Sequence, residues 1–328
     1  MRLETVSVIG GGAWGTALAQ AAAMAGREVL LVARDGRQVE EINTARTNVR
    51  YLGGQRLHPS ITAATVAGPA DIVILAVPAQ SSRAVLAALD PALLAGRPVV
   101  LSAKGLETGT LQRQSEVLLD MAPDAIPFVL SGPSFAMDVA AGRPTAVTLA
   151  GDDANETSAL ATVLAGPGFR PYAADDRIGV EIAGALKNVY ALACGAVDGA
   201  GLGASARSAL IARAYAEMAR MVSAMGGSAT TLTGLAGLGD LTLTCTSVQS
   251  RNYQFGMALG RGQTVEAIMA GGAKLAEGVA TTPVADALAR SLDVEAPLIQ
   301  AVHAVLSGSA DIATIVAGLM SRPLKRED

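Results

Sequence analysis

The chain is poor in the residues that carry metal, disulfide and nucleic-acid chemistry. Its 328 residues include two cysteines, Cys194 and Cys245, and two histidines, His58 and His303. Two cysteines without CxxC spacing exclude a disulfide framework and a cysteine zinc site. Histidines so far apart argue against chemistry that needs a histidine pair. The net charge of −4 and the pI of about 5.3 argue against a nucleic-acid partner held on a basic surface.

Long apolar runs are also missing, although the chain is hydrophobic overall. Hydrophobic residues make up 51% of it, and the mean hydropathy is +0.39. The clearest apolar run, 72–79, is far shorter than the roughly 20 residues that a membrane helix needs. The first residues include Glu4 and run into a predicted strand, which is not the pattern of a signal peptide. We therefore expect a cytoplasmic protein with no integral membrane segment, no metal and no nucleic-acid partner.

The first half of the chain alternates strands with helices. Predicted strands at 6–10, 28–33, 71–78, 98–105, 126–133 and 145–151 alternate with predicted helices at 16–25, 36–43, 81–89 and 111–121. This alternation predicts a parallel sheet with helices on both faces. After about residue 175 no convincing strand follows, and the pattern predicts helices at 180–196, 208–225, 252–260, 265–269, 283–291, 296–307 and 311–320. The sequence therefore predicts an α/β domain over residues 1–177 and an all-helical domain over 178–328.

A glycine-rich turn, GGGAWG, follows the first predicted strand and opens the first predicted helix. Gly10, Gly12 and Gly15 complete a G-x-G-x-x-G pattern in the strand–helix context that indicates a dinucleotide site. Gly10 permits the tight turn, Gly12 lets the backbone approach a pyrophosphate, and Gly15 lets the helix pack on the strand. The alternative is a glycine-rich turn that binds nothing. Trp14, inside the turn, either contacts the cofactor or packs at the domain seam.

The end of the second predicted strand bears on the choice between NAD and NADP. NAD sites usually place an acid there for the ribose hydroxyls, whereas an arginine accommodates the 2′-phosphate of NADP. Here the strand ends at Ala33, and Arg34 and Asp35 follow. We therefore expect NADP(H) to be preferred and NAD(H) to remain possible. Asp35 has the alternative role of capping the next helix.

Polar residues also follow two later strands, in SAKGLE and SGPSFA. Ligands bind beyond the carboxyl ends of strands in such sheets, so Lys104 is predicted to point into the crevice. Its alternative is a solvated lysine. The small residues around Gly132 and Ser134 offer backbone N–H groups to an anion or to the nicotinamide amide.

Two further clusters lie in the predicted helical domain. Lys187 and Asn188 sit in an apolar helical stretch, where an unpaired lysine is costly unless it reaches the rim. In GLGDLTLTC, Asp240 and Thr244 share a face if the segment is helical. The run 250–252, Ser-Arg-Asn, offers an arginine fork, an amide and free backbone N–H groups at a predicted helix start, which suits a phosphate. Its alternative is a helix cap with two surface polar residues.

Together these motifs resemble bacterial NAD(P)-dependent glycerol-3-phosphate dehydrogenase. The resemblance covers residues 6 to about 320 and rests on GGGAWGTALA, SAKGLE, SGPSFA, ALKNVYA, GLGDLTLTC, SRNYQFG and AEGVATT, in this order. It implies a Rossmann domain followed by an all-α substrate domain. It also implies reversible reduction of dihydroxyacetone phosphate to sn-glycerol 3-phosphate, a phospholipid precursor. A homodimer is expected from the resemblance alone.

The resemblance also implies roles for individual residues. Lys187 matches the catalytic proton donor and acceptor. The substrate positions, to which we add Asn188 and Thr244 from their motifs, are Lys104, Gly132, Ser134, Lys187, Asn188, Asp240, Thr244, Ser250, Arg251 and Asn252. The cofactor positions, beside the three motif glycines, are Ala13, Trp14, Arg34, Lys104, Ala136, Arg251, Leu275 and Glu277. Many members have serine at the position of Ala13 and valine at that of Leu275.

Two other functions stay open on sequence grounds. A related two-domain dehydrogenase acting on a 3-hydroxy acid or ketopantoate would bind a carboxylate and no phosphate. A dinucleotide-sensing module would not need Lys187 and Asp240. Whether Lys104 lowers the pKa of Lys187 more than Asp240 raises it also stays open.

Overall fold

The computed structural model describes residues 3–271 and 276–323, and an eight-stranded sheet organises the first half of the chain. The strand order is β3-β2-β1-β4-β5-β6-β7-β8. The strands are β1 (Thr5–Ile9), β2 (Glu28–Val32), β3 (Ile61–Ala64), β4 (Ile72–Leu75), β5 (Pro98–Leu101), β6 (Ile126–Ser131), β7 (Thr145–Ala150) and β8 (Phe169–Ala174). Hydrophobic clusters on both faces bury the sheet, as expected where helices cover it.

Helices cover the sheet and form the second half of the chain. Those of the first half are α1 (Ala13–Met24), α2 (Gly36–Thr44), α3 (Val49–Leu52), α4 (Ser82–Ala87), α5 (Gln114–Met121), α6 (Ala136–Ala140) and α7 (Ala154–Leu164). Those of the second half are α8 (Arg177–Gly199), α9 (Ala204–Ala224), α10 (Asp240–Thr246), α11 (Arg251–Gly260), α12 (Val265–Ala270), α13 (Glu277–Ser291), α14 (Pro297–Leu306) and α15 (Ile312–Met320). The predicted α/β class, with a Rossmann-type domain before a helical one, is confirmed. In the described part of the chain no strand follows β8.

The sheet differs from the sequence prediction in one pairing and two strands. β6 and β7 pair antiparallel, whereas the pattern predicted a parallel sheet. The connection between them contains only the five-residue α6, which packs on α1, and not the longer crossover helix that usually joins parallel strands. The prediction missed β3, which has four residues, and β8, which contains Pro171. β8 lies at the edge of the sheet, where a proline is tolerated.

Several helix starts also differ from the prediction, and the structure gives a physical reason for those of α5 and α13. α5 begins at Gln114 and not at 111, because Leu111 has a φ of +62°, outside the helical range. α13 begins at Glu277 and contains Pro283, which the sequence placed at the helix start. The neighbours Thr282 and Val284 are buried, so the core packing holds the helix together across the missing N–H.

α8 is the central element of the helical half. Among the described helices it alone has the length and composition to cross a membrane, but 89% of its most apolar window is buried inside the protein. α11 packs against it so closely that glycines are required at the contact. A Cβ on Gly195 would lie 2.0 Å from the carbonyl oxygen of Tyr253, and one on Gly256 would lie 2.0 Å from that of Leu192. The same helix faces the carboxyl edge of the sheet and carries Lys187 there.

Candidate active site

The glycine turn between β1 and α1 has the shape of a phosphate cradle. Gly10 has a φ of +123°, and a Cβ there would lie 2.4 Å from the carbonyl oxygen of Ala76. A Cβ on Gly15 would lie 1.9 Å from the carbonyl oxygen of Gly10. Nothing lies within 4 Å of a Cβ on Gly12, and no side chain caps the N-terminus of α1. The turn therefore leaves open space beside free helix N–H groups, which fits a pyrophosphate.

Three predicted cofactor residues pack beside this turn. Ala13, Trp14 and Ala136 lie against the hydrophobic cluster between α1, α6 and the sheet. Packing of Trp14 is thus observed, although against the cluster of its own domain and not at the domain seam. Its Nε1 is buried and has no hydrogen-bond partner in the described part of the chain. Its contact with a cofactor stays a prediction.

Arg34 and Asp35 at the end of β2 are placed very differently. Arg34 is exposed and makes no hydrogen bond or ion pair with any residue that the structure describes. Asp35 accepts a hydrogen bond from the backbone N–H of Arg37 at 2.9 Å and caps α2. The carboxylate is thus already bonded, and the guanidinium is available for a phosphate.

Asp240 joins two lysines at the seam between the sheet and α8. Lys104, which follows β5, donates to Oδ2 of Asp240 at 2.7 Å, and Lys187 on α8 donates to Oδ1. Lys187 also donates to Oγ1 of Thr244 at 2.9 Å. The side chain of Asp240 is 0% exposed and that of Lys187 is 7% exposed. The alternatives of a solvated Lys104 and a rim-seeking Lys187 do not describe these side chains.

Burial and charge set the protonation of this cluster. Burial, with a smaller contribution from the charge of Lys104, lowers the pKa of Lys187 to about 8, although Asp240 opposes the shift. Burial raises the pKa of Asp240, but Lys104 and Lys187 together outweigh it and leave that pKa below its ordinary value. The cluster therefore holds a firmly ionised carboxylate and an ammonium that can release its proton near neutral pH.

The turn before α10 explains how Asp240 reaches the lysines. Residues Leu235–Gly239 form a π-type turn that runs directly into α10. A Cβ on Gly237 would lie 2.2 Å from the carbonyl oxygen of Leu232, so the tight turn needs glycine there. Because α10 is helical, Asp240 and Thr244 share a face as predicted, and their side chains are 3.3 Å apart.

A chain of amides continues from the lysines into the helical domain. Asn188 donates to the carbonyl oxygen of Lys104 at 2.9 Å, and its Oδ1 accepts from Asn252 at 2.8 Å. Asn252 in turn accepts from the backbone N–H of Gly278 at 2.8 Å. Both amides are buried. They link the segment after β5 to α8, α11 and α13, which together form one wall of the site.

The SGPSFA segment lies on the sheet side of the same wall. The carbonyl oxygen of Gly132 accepts from Lys104 at 3.1 Å and from the hydroxyl of Ser134 at 3.0 Å. Gly132 has a φ of +141°, and a Cβ there would lie 2.9 Å from the Cα of Val147. Gly132 therefore needs to be glycine for the turn itself.

Arg251 and Glu277 stand at the starts of two helices beside the cluster. Ser250 caps α11 through the backbone N–H of Tyr253 at 3.2 Å, and Arg251 is exposed. Burial raises the pKa of Glu277, and the charges of Arg251, Lys104 and Lys187 oppose that shift. The capping role of Ser250 is observed, while its contact with substrate stays a prediction. Leu275, a predicted cofactor residue, lies outside the described residues.

Gln38 and Asn48 belong to the site region but were not predicted. Both donate to the carbonyl oxygen of Gly11, from positions 27 and 37 residues further along the chain. No local pattern marks them, because each depends on how α2 and α3 fold back on the glycine turn. Among the described residues no group of three or more His, Cys, Asp or Glu side chains could hold a metal.

Comparisons with known proteins agree with this arrangement. Residues 5–157 match the family model described as NAD-dependent glycerol-3-phosphate dehydrogenase N-terminus, and residues 176–317 match that of its C-terminus. The chain is 50% identical to glycerol-3-phosphate dehydrogenase [NAD(P)+] of Caulobacter vibrioides over the full length of both chains.

Solved structures give the same relationship. Glycerol-3-phosphate dehydrogenase from Coxiella burnetii is 38% identical, with a TM-score of 0.91, over 97% of this chain and 99% of that one. The Plasmodium falciparum enzyme, 24% identical with a TM-score of 0.87 over 98% and 97% of the two chains, shows the fold. The chain belongs to the NAD-dependent glycerol-3-phosphate dehydrogenase family.

Proposed function

We propose that this protein reversibly reduces dihydroxyacetone phosphate to sn-glycerol 3-phosphate, with NADPH preferred and NADH possible. The observation that carries the proposal is the buried Lys187, held by Asp240 and Thr244 at the sheet edge where the glycine turn opens. Bound NADPH or NADH supplies the hydride that C2 of the ketone receives. Family membership supports both the reaction and the cofactor.

Lys187 is the group that handles the proton. Negative charge develops on the carbonyl oxygen as the ketone is reduced, and the Lys187 ammonium donates a proton to it. A pKa of about 8 suits this role, because the lysine can give the proton near neutral pH and take it back in the reverse direction. Lys104 keeps Asp240 ionised, and Asp240 and Thr244 hold the Nζ of Lys187 in place.

The phosphate of the substrate binds at the start of α11. Arg251 offers a two-pronged donor beside the free backbone N–H groups of the first turn. Asn252 is already bonded to Asn188 and Gly278, so its contribution is to position the backbone more than to reach the ligand. Gripping the phosphate there holds the ketone near Lys187 for reaction.

Arg34 and the glycine turn hold the two ends of the cofactor's adenosine pyrophosphate. The exposed Arg34 would pair with the 2′-phosphate of NADPH, and the N–H groups at Gly12 and the start of α1 would pair with the pyrophosphate. Ala13 has no hydroxyl to contribute, so the backbone alone serves there. Glu277 and Arg251, at the starts of α13 and α11, are the cofactor residues proposed on the helical domain.

Three further proposals concern the protein as a whole. We divide it into a cofactor domain, 1–177, and a substrate domain, 178–328, because β8 ends at Ala174 and α8 begins at Arg177. We propose a cytoplasmic enzyme that supplies glycerophospholipid synthesis. We also propose a homodimer, which the resemblance implies. The apolar α15, with no buried residue, offers a surface for it.

One assay tests the reaction against its rivals. Purified protein should oxidise NADPH rapidly with dihydroxyacetone phosphate and hardly at all with ketopantoate or an acetoacetyl thioester. Turnover of either carboxylate or thioester substrate would favour a related dehydrogenase. Cofactor binding without turnover of any of the three would favour a dinucleotide-sensing role.

A further inference from the structure

The backbone carbonyl of Gly11, in the middle of the glycine turn, is held from outside the turn. Asn48, the residue before α3, donates from Nδ2 to this oxygen at 3.1 Å. The same Nδ2 donates to Oγ1 of Thr16 on α1 at 2.8 Å. Gln38 on α2 donates to the Gly11 carbonyl from a second direction. Two elements remote in sequence thus converge on one peptide group.

Burying the Asn48 side chain at this position costs free energy. Asn48 is 0% exposed. Its Oδ1 has no hydrogen-bond partner among residues 3–271 and 276–323. Leaving a buried acceptor unpaired costs free energy. The amide is therefore oriented by its N–H groups, both of whose acceptors belong to the turn and to the first helix.

Peptide geometry carries the effect of Asn48 to the ligand side of the turn. The described peptide bonds include no cis bond, so the Gly12 N–H points opposite to the Gly11 carbonyl. Asn48 and Gln38 lie on the carbonyl side, and the space beyond Gly12 is open. A carbonyl that accepts hydrogen bonds also polarises its own peptide, which makes the N–H a better donor.

We propose that Asn48, assisted by Gln38, is a positioning residue for the dinucleotide: it aims and polarises the Gly12 N–H toward the cofactor pyrophosphate. The inference rests on the proposed use of NADPH or NADH. It extends the binding site to a buried side chain that never touches the ligand. The glycine turn supplies the freedom to adopt the binding conformation, and Asn48 removes that freedom.

Two cofactor ligands separate positioning from simple stability. NADPH carries the pyrophosphate, whereas adenosine 2′-monophosphate carries the 2′-phosphate and the adenosine without it. Asn48→Leu removes both donated hydrogen bonds at similar volume. We expect its dissociation constant for NADPH, measured by fluorescence titration, to rise about tenfold, which corresponds to losing the hydrogen bond from the Gly12 N–H to the charged pyrophosphate. Its dissociation constant for adenosine 2′-monophosphate, measured by calorimetry, should stay at the wild-type value.

Two further variants are measured with both ligands: Asn48→Asp as a stronger perturbation of the turn, and Gln20→Leu as a control. In Asn48→Asp a carboxylate oxygen faces the Gly11 carbonyl and repels it, so NADPH should bind still more weakly than in Asn48→Leu. Gln20 is the matched control, because it is a buried amide on α1 that accepts from the backbone N–H of His58 at 2.8 Å and does not reach the turn. Gln20→Leu should lower Tm while leaving the ratio of the two dissociation constants unchanged.

Several outcomes would overturn the inference. Unchanged NADPH binding in Asn48→Leu would do so, and so would equal weakening of both ligands, which would mean that Asn48 only stabilises the fold. Should Asn48→Leu not fold, Asn48→Ser repeats the test, since its hydroxyl is too short to reach both acceptors. Wild-type protein that bound neither NADPH nor NADH would overturn the proposed function itself, and this inference with it.

Discussion

The ammonium of Lys187 donates a hydrogen bond to the carboxylate of Asp240, which has no exposed surface. The two residues are 53 positions apart and lie on different helices. Their pairing places a proton donor of lowered pKa at the edge of the sheet, and Thr244, one turn along α10 from Asp240, accepts a second hydrogen bond from it. A buried ion pair of this kind is weak evidence for stability, so its value here is chemical.

Replacing Lys187 should remove the chemistry and keep the cofactor. Lys187→Met should reduce kcat on the order of 10²–10⁴-fold, the usual contribution of general acid–base catalysis. The dissociation constant for NADPH should stay near the wild-type value, because the glycine turn is untouched. Arg170→Met, an exposed change on the edge strand β8, serves as the control and should leave both values unchanged. Near-normal turnover in Lys187→Met would exclude this lysine from the mechanism.

The pH dependence follows from the pKa of Lys187. Reduction of the ketone needs the protonated lysine, so kcat/KM for dihydroxyacetone phosphate should fall as the pH rises through about 8. Oxidation of glycerol 3-phosphate needs the neutral lysine and should rise over the same range. A pH–rate profile measured in both directions tests this prediction. Reduction and oxidation rates that both rise, or both fall, through this pH range would contradict it.

Asp240→Asn should shift the pH dependence of ketone reduction to lower pH. Asp240 raises the pKa of Lys187, while burial and Lys104 lower it. Without the carboxylate charge, only burial and Lys104 act on the pKa of Lys187, and both lower it. The fall in kcat/KM for dihydroxyacetone phosphate should therefore occur at a lower pH than in the wild type. The substitution keeps the size of the side chain, and the far-ultraviolet circular dichroism should match the wild type. A pH dependence of kcat/KM identical to the wild type would show that another group titrates.

Gly12 and Gly15 should respond differently to the same substitution. Gly12→Ala adds a Cβ to open space at a φ of −73°, so the fold should tolerate it while the pyrophosphate loses room. Gly15→Ala places a Cβ 1.9 Å from a backbone oxygen and should lower Tm. Titration with NADPH and thermal unfolding distinguish the two. Unimpaired NADPH binding in Gly12→Ala would mean that the pyrophosphate lies elsewhere.

Arg34 should govern the preference for NADPH. Arg34→Ala should raise KM for NADPH by about tenfold, the lower end for a hydrogen bond to a charged group, because the arginine is exposed. KM for NADH, which lacks the 2′-phosphate, should change much less. Equal changes in both constants, or a wild-type preference for NADH, would contradict the assignment.

Arg251→Lys tests whether Arg251 binds the phosphate of the substrate, because the substitution keeps the positive charge. Lysine cannot reproduce the two parallel bonds of a guanidinium, so binding of dihydroxyacetone phosphate should weaken roughly tenfold to a hundredfold. Unphosphorylated dihydroxyacetone, a very poor substrate, should be affected much less. An equal penalty on both ketones would assign Arg251 to the cofactor or the fold. KM for NADPH is measured alongside, because the same arginine is a predicted cofactor residue.

Local patterns in the sequence were sufficient for the two-part architecture and for much of the candidate site. The glycine spacing after β1 predicts the cradle because only glycine fits the positive φ of Gly10 and the contact at Gly15. The run of helices after β8 follows from composition and periodicity. Lys187 was marked by chemistry, since a lysine in an apolar helix needs a partner.

The tertiary structure decided what depends on contacts between distant segments. The antiparallel β6–β7 pair follows from the path of the connection, which strand propensity does not encode. The sequence left open whether Lys104 or Asp240 has the larger effect on the pKa of Lys187. The answer depends on burial, which is the main cause of the lowered pKa and exists only once α8, α10 and the sheet meet. The same holds for Asn48, whose hydrogen bond to Gly11 spans 37 residues. Short-range patterns specify backbone conformations and residue types, but a side chain's electrostatics and partners arise from packing at long sequence separation.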